Sequence, residues 1–260
     1  MKRFSILLII CLSLTGCGGK KEPGKTKVEQ SPPTVSLNSA NKLLSMKRCK
    51  EAIHAYQAFL DKYPKDAGAW NLLGLAYLCD SRVDQAFIAF NQALALSPTY
   101  TDVHNNLGVA HTEAGKYAEA RAEFLKALDD PGYPKAGPYF NLARLAFVQG
   151  NYEESRALAR KAIEFVPKEN GLPKETAPVL LYSISLERLN RFDEAEASYN
   201  DVLKVDPNSL EGNFGMANVL MKKNQPCVAR LYYQKVVDAD PLSDKGQRSL
   251  AALKNIQCQN

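Results

Sequence analysis

The chain has 260 residues, 45% hydrophobic and 23% charged, which is apolar enough to bury a core and too apolar for a disordered chain. Its formal charge is +5, with two of the positive groups, Lys2 and Arg3, at the extreme N-terminus. So mild a balance argues against a nucleic-acid-binding surface. The first predicted element begins there. Lys2 and Arg3 precede an apolar run from Phe4 to Leu12, too short to span a bilayer and of the length of a signal-peptide core.

The next four residues, Leu14-Thr15-Gly16-Cys17, resemble the bacterial lipobox. The resemblance implies a leader over residues 1–16, removed before Cys17, and a lipid on the Cys17 thiol. The competing reading is an ordinary signal peptide with a chance cysteine. Several acyl chains on one residue would anchor the protein stably. Gly18, rather than Asp, follows the cysteine. By resemblance to the sorting rule of Gram-negative lipoproteins, that implies the outer membrane, on its periplasmic face. Residues 17–32 are rich in Gly, Lys, Ser and Pro without apolar periodicity. They read as a tether that, stretched, reaches roughly 50 Å. Its lysines, Lys20, Lys21, Lys25 and Lys27, belong to a solvated linker or touch anionic lipid or cell wall.

From residue 33 to residue 243 the chain repeats itself. The stretch from Asp66 to Tyr100 carries Trp70, Leu73, Gly74 and Tyr77 on one helical face, then Ala86, Phe90 and Ala93 on a second, and ends at Pro98. Large residues facing small ones let two antiparallel helices pack closely. This spacing is similar to the tetratricopeptide repeat. The preceding unit has Leu37, Ala40 and Leu43, then Ala52, Tyr56, Phe59 and Pro64. The third has His104, Leu107, Gly108 and His111, then Ala120, Phe124 and Ala127, and closes on Asp130-Pro131-Gly132-Tyr133-Pro134. The fourth has Tyr139, Leu142, Ala143 and Ala146, then Ser155, Ala159, Ala162 and Pro167. A longer loop is expected over 170–175. The fifth has Tyr182 and Leu186, then Ala195, Tyr199, Val202 and Pro207. The sixth has Met216, Ala217 and Leu220, then Ala229, Tyr233, Val236 and Pro241. Residues 244–260 read as an amphipathic cap, with Leu250, Leu253 and Ile256 inward and Lys245, Gln247, Arg248 and Lys254 outward. The predicted fold is therefore all-α: a solenoid of six helix-turn-helix repeats plus a C-terminal capping helix, with a concave inner face.

Besides Cys11 in the leader and Cys17, four cysteines remain, and sequence alone allows three pairings. In a repeat array of antiparallel neighbours, Cys49 at the start of one helix faces Cys79 at the end of the next. Cys227 and Cys258 stand in the same relation. The expectation is Cys49–Cys79 and Cys227–Cys258, in the oxidising space an exported protein enters. Four free thiols are the alternative.

There is no P-loop, no Gly-rich nucleotide motif and no zinc-peptidase motif, so neither an enzyme nor a cofactor or metal site is expected, and no small-molecule substrate. His104 and His111 fall at packing positions and His54 in solvent. Tetratricopeptide arrays bind peptides on the face of their first helices. Projecting the repeat places Asn71, Leu75 and Leu78 there, with Asn105, Asn106 and Val109, then Phe140, Asn141, Arg144 and Phe147, then Leu180 and Ile184, and Phe214. An amphipathic helix or an extended apolar segment suits so apolar a strip. Packing under neighbouring repeats is the other use for these residues.

Leader, lipobox, tether and six repeats, with Asn105-Asn106-Leu107-Gly108, Gly115, Ala118, Phe124, Ala127-Leu128, the break at 130–134 and Asn141-Leu142-Ala143, resemble the type IV pilus biogenesis lipoproteins, the pilotins of the pilus secretin. That resemblance implies a lipid-anchored protein that binds secretin subunits and promotes their localisation and multimerisation at the outer membrane, with a membrane contact only through its N-terminal lipid. The alternative is an outer-membrane scaffold for cell-wall hydrolases or envelope assembly machinery.

Overall fold

The computed structural model describes residues 36–257, and the expected leader and tether, with Cys17 and Cys258, lie outside them. Among the described residues the chain forms thirteen α-helices and one small hairpin. The helices pair as α1 (Leu37–Ser45) with α2 (Cys49–Leu60), α3 (Ala67–Cys79) with α4 (Val83–Leu96), and α5 (Thr101–Glu113) with α6 (Tyr117–Asp129). Then come α7 (Ala136–Val148) with α8 (Tyr152–Phe165), the strands β1 (Lys168–Glu169) and β2 (Leu172–Pro173), and α9 (Ala177–Arg188) with α10 (Phe192–Val205). The last pair is α11 (Leu210–Lys222) with α12 (Pro226–Ala239), covered by α13 (Asp244–Asn255). The chain divides into two compact units between Pro98 and Thr99, so α1 to α4 lie in unit 1 and α5 to α13 in unit 2.

The turn inside every repeat is made the same way. One residue at each takes a left-handed conformation: Lys47, Ser81, Gly115, Gly150, Asn190 and Asn224, with φ between 57° and 81°. The next residue's N–H reaches back to a carbonyl in the last turn of the first helix, as Arg82 to Tyr77 at 2.8 Å and Lys116 to His111 at 2.8 Å. This is the closing bond of a Schellman motif, and it satisfies carbonyls that the helix end would leave orphaned. Three first helices and the cap helix show how starts are made: Ser36, Asp66, Ser209 and Ser243 each accept a backbone N–H three residues on.

Packing within a repeat depends on what stands in the middle of the second helix. In repeats 2 and 3 it is Phe90 or Phe124, and the first helix lays Gly74 or Gly108 over the ring. A methyl group at either glycine would sit 2.4 Å from a ring carbon. In repeats 1, 5 and 6 it is a tyrosine whose hydroxyl donates to the first helix: Tyr56 to Asn41 at 2.7 Å, Tyr199 to Glu187 at 3.0 Å and Tyr233 to Asn218 at 2.8 Å. Each buried phenol thereby keeps a partner, as buried polar groups require. Burial raises the pKa of all three above the ordinary tyrosine value.

Several details differ from the sequence reading. The loop expected over 170–175 is a hairpin in part: Lys168 pairs with Pro173 and Glu169 with Leu172, antiparallel. Asn170 and Gly171 both have positive φ, the requirement of the tight turn that Asn-Gly favours. In the cap, Lys245 and Arg248 do not simply point to solvent. Lys245 Nζ donates to Glu211 at 3.0 Å, and the Arg248 guanidinium lies 4.8 Å from the Phe214 ring centre. Gly246 and Ser249 are buried while Leu250 is half-buried, because the cap approaches so closely that a Cβ on Gly246 would fall 2.0 Å from the Asp240 carbonyl oxygen. The break at 130–134 closes over the start of α5. Asp130 accepts from Thr101 Oγ1 at 2.6 Å and from the Gly132 N–H, while Tyr133 donates to Asp102 at 3.0 Å. These bonds lower the Asp130 pKa.

Candidate functional site

A first helix has positions buried against the second helices beside it and positions left half-exposed. In α7 the buried set includes Leu142, Ala143, Leu145 and Ala146, with Leu142 and Leu145 in one cluster with Ala120 and Phe124 of α6. Phe140, Asn141, Arg144 and Phe147 are half-buried, and their helical spacing gathers them on the other side. In α5, Leu107, Gly108 and Ala110 are buried while Asn105, Asn106 and Val109 are half-buried. The two faces are joined: Asn141 Nδ2 donates to Asn105 Oδ1 at 3.0 Å. Val109 also packs on the cluster of Phe124, Leu142 and Leu145. The Phe147 ring lies 5.2 Å from that of Tyr152.

Arg144 stands at the centre of this face. Its guanidinium carbon is 5.9 Å from the Phe140 ring centre, and its side chain has no hydrogen bond or ion pair among the described residues. Burial lowers its pKa from the ordinary arginine value, with Glu113 opposing. Further along unit 2, Leu180 and Ile184 are half-buried and pack on the core cluster that holds Leu186, Tyr199 and Phe214. Phe214 itself is buried under Arg248.

Unit 1 treats its predicted residues differently. Asn71 is 4% and Leu78 6% exposed, so both are packing residues rather than surface, and only Leu75 is half-buried. The reason is α3 itself, which is buried at Ala69, Asn71, Leu73, Gly74, Ala76, Tyr77 and Leu78, nearly all the way round. A helix apolar on every side is surrounded by its neighbours, and projecting a one-sided repeat onto it overstates its free face.

The face of α5 and α7 can therefore offer amide donors and acceptors, one cation and apolar contact, a set matched to a peptide's backbone and side chains. The predicted packing histidine His104 also has a polar role, with Nδ1 2.7 Å from Glu123 Oε2. Burial raises the Glu123 pKa, but the bonds from Lys126 and His104 outweigh it and the net shift is downward. Among the described residues, no group of three His, Cys, Asp or Glu side chains could hold a metal ion, and no helix is long and apolar enough to cross a membrane. Cys49, which opens α2, and Cys79, which closes α3, are disulfide-bonded, with Cα atoms 5.6 Å apart. Cys227 is in the first turn of α12, and its predicted partner Cys258 lies outside the described residues.

The sequence reading missed a pocket of about 490 Å³ in unit 1, where α2 and α4 both pack on α3. Gln57 and Leu60 of α2, Trp70, Leu73 and Tyr77 of α3, and Ile88 and Ala89 of α4 line it, with Asp61 and Pro64. Trp70 Nε1 donates to the Pro64 carbonyl at 2.9 Å, and Gln57 Nε2 donates to the Tyr77 hydroxyl at 2.9 Å. One signal was legible. Ile88, two residues after the buried Ala86, stands where the third, fourth and fifth repeats have Ala122, Ala157 and Ala197.

Comparison with known proteins agrees with this architecture. The family profile described as Tetratricopeptide repeat matches residues 37–101, 89–137, 105–170 and 183–244. The peroxisomal targeting signal receptor of Kluyveromyces lactis is 29% identical over 99 residues, 38% of this chain and 18% of its own. The human protein O-mannosyl-transferase TMTC3 is 24% identical over 216 residues, 81% of this chain and 23% of its own. This chain thus spans about a fifth of the length of these curated relatives. Among solved structures, the PilF protein of Pseudomonas aeruginosa superposes with a TM-score of 0.67 at 18% identity, over 82% of this chain and 94% of its own. PilW, described as a widely conserved type IV pilus biogenesis factor, superposes with a TM-score of 0.70 at 19% identity, over 82% of this chain and 96% of its own. Likeness at that identity shows a shared fold.

Proposed function

We propose that this chain, which belongs to the tetratricopeptide repeat family, binds secretin subunits on the face of its first helices and promotes their localisation and multimerisation for type IV pilus biogenesis. The repeat fold is a protein-interaction scaffold, and the step beyond that is the partner. The observation that carries the reading is the surface of α5 and α7, where the half-buried Asn105, Phe140, Asn141 and Arg144 bring amide, aromatic and guanidinium groups together. Likeness over nearly the whole length of PilF and PilW supports the choice of pilus partner. In this reading Cys17 carries the lipid that holds the protein at the inner leaflet of the outer membrane. No bond is made or broken; the work is binding and relocation.

The test is the amount of heat-stable secretin multimer in outer membranes with and without this gene. Loss of the multimer, restored by the wild type and not by the double variant Phe140→Ala, Arg144→Gln, is the expected result. A Cys17→Ala variant should bind secretin in solution and fail to restore the multimer. An unchanged multimer with normal pili overturns the reading and leaves the envelope-scaffold role to be tested by pulldown.

A further inference from the structure

The pocket of unit 1 has a lining of uneven chemistry. Its walls are apolar: Leu60, Pro64, Trp70, Leu73 and Ile88. Its polar groups are Gln57, Gln85, Tyr77 and a single charge, Asp61, and no lining residue is a cation. The Asp61 carboxylate and the Gln85 amide have no hydrogen bond or ion pair among the described residues. Unit 2 treats the corresponding place otherwise. Glu154 on α8, just before the buried Ser155, pairs with Arg121 on α6. Gln85 on α4, just before the buried Ala86, stands where that glutamate would be and closes nothing.

The mouth extends beyond the cavity. Ile88 of the pocket wall is 61% exposed, so part of its side chain stands outside the cavity. A small molecule inside the pocket would leave that part in water, whereas a polypeptide lying across the mouth covers it. Exposed apolar surface around a preformed pocket is the pattern of a protein anchor site. We propose that this pocket is a second docking site, which takes an apolar side chain of a partner protein segment while a lysine or arginine beside that side chain pairs with Asp61.

Trp70 makes the proposal directly readable, because it lines the pocket and the chain has one tryptophan. Its indole N–H gives a single resonance in a proton–nitrogen correlation spectrum. The probes are two acetylated, amidated tetrapeptides, Leu-Phe-Lys-Leu and Leu-Phe-Glu-Leu, titrated into the full chain. The lysine peptide is expected to shift the indole resonance saturably and to bind about ten-fold more tightly than the glutamate peptide, the discrimination of one charge-assisted contact. Asp61→Asn should make the two peptides equal. Ile88→Lys should abolish the shift with unchanged helical circular dichroism, and Phe140→Ala, in unit 2, should leave it unchanged. No shift with either peptide overturns the proposal, as does equal affinity for the two in the wild type. An indole resonance that moves with protein concentration alone assigns the pocket to a second copy of this chain. A shift by cyclohexanol but by neither peptide assigns it to a small apolar ligand. Both outcomes also overturn the proposal.

Discussion

In unit 1 a covalent bond joins α2 to α3 through Cys49 and Cys79, and α4 presents the uncharged Gln85 to the space beside α2. In unit 2 the corresponding second helices are bridged by Arg121 with Glu154, and Lys223 after α11 pairs with Asp193 and Glu196 of α10. The difference follows from length. Repeat arrays gain stability from nearest-neighbour interfaces, and a two-repeat unit has few of them. Unit 1 compensates by restricting its unfolded chain with a cross-link, while unit 2 distributes smaller contacts over four repeats and a cap.

The largest expected effect tests whether the two are separate cooperative bodies. Phe90→Ala in unit 1 and Phe124→Ala in unit 2 each empty a fully buried ring site and should cost about 3–5 kcal/mol. Native-state hydrogen exchange should show the loss confined to the mutated unit. Equal loss of protection in both units from either variant would break the comparison. Next in size is the disulfide. The double variant Cys49→Ser, Cys79→Ser opens a loop of sequence separation 30 and should lower the denaturant stability of unit 1 by about 3 kcal/mol. Unit 2 amides should keep their protection.

Glu154→Gln gives α8 the residue type that α4 carries. Both partners of that ion pair are partly exposed, so the loss in unit 2 should stay within about 1 kcal/mol and shrink with salt. A larger loss would mean that the bridge, and not the helix packing, sets the spacing of α6 and α8. The smallest effect is one of pH. Burial lowers the pKa of His111 from 6.5, against the opposing charges of Glu123 and Glu119. The unfolded chain therefore takes up a proton that the native unit resists. Stability contributed by His111 is fully present above about pH 6.5 and is lost as the pH falls from there toward the lower native value. Thermal melts of wild type and His111→Gln between pH 7.5 and 5 should converge toward low pH.

Much of the fold was legible because the repeat spacing is set by local geometry. Phe90 over Gly74 and Phe124 over Gly108 are pairs 16 residues apart, and two helices joined by a short turn have one way to bring them together. The hairpin at 168–173 has its own signal in Asn170-Gly171, the pair that a two-residue turn favours, although a plain loop is expected over 170–175 from the sequence. Asn71 and Leu78 were misread for another reason. Their exposure depends on what surrounds α3, and no property of residues 67–79 alone reports it. The pocket left only a trace in sequence, Ile88 among alanines, because a cavity is made by the side chains that fail to fill it.

By itself the sequence determined the helix pairs, their order and their close-packing partners, since periodicity, small residues and turn residues act over distances of a few tens of residues. Only the tertiary structure decided which polar side chains stay available. Among the described residues Arg144 and Asp61 form no ion pair, whereas Lys245 meets Glu211 and Tyr199 meets Glu187. Those outcomes depend on ångström distances between side chains of different helices. Hydrogen bonds and ion pairs fall off steeply with such distances, and composition and spacing do not encode them.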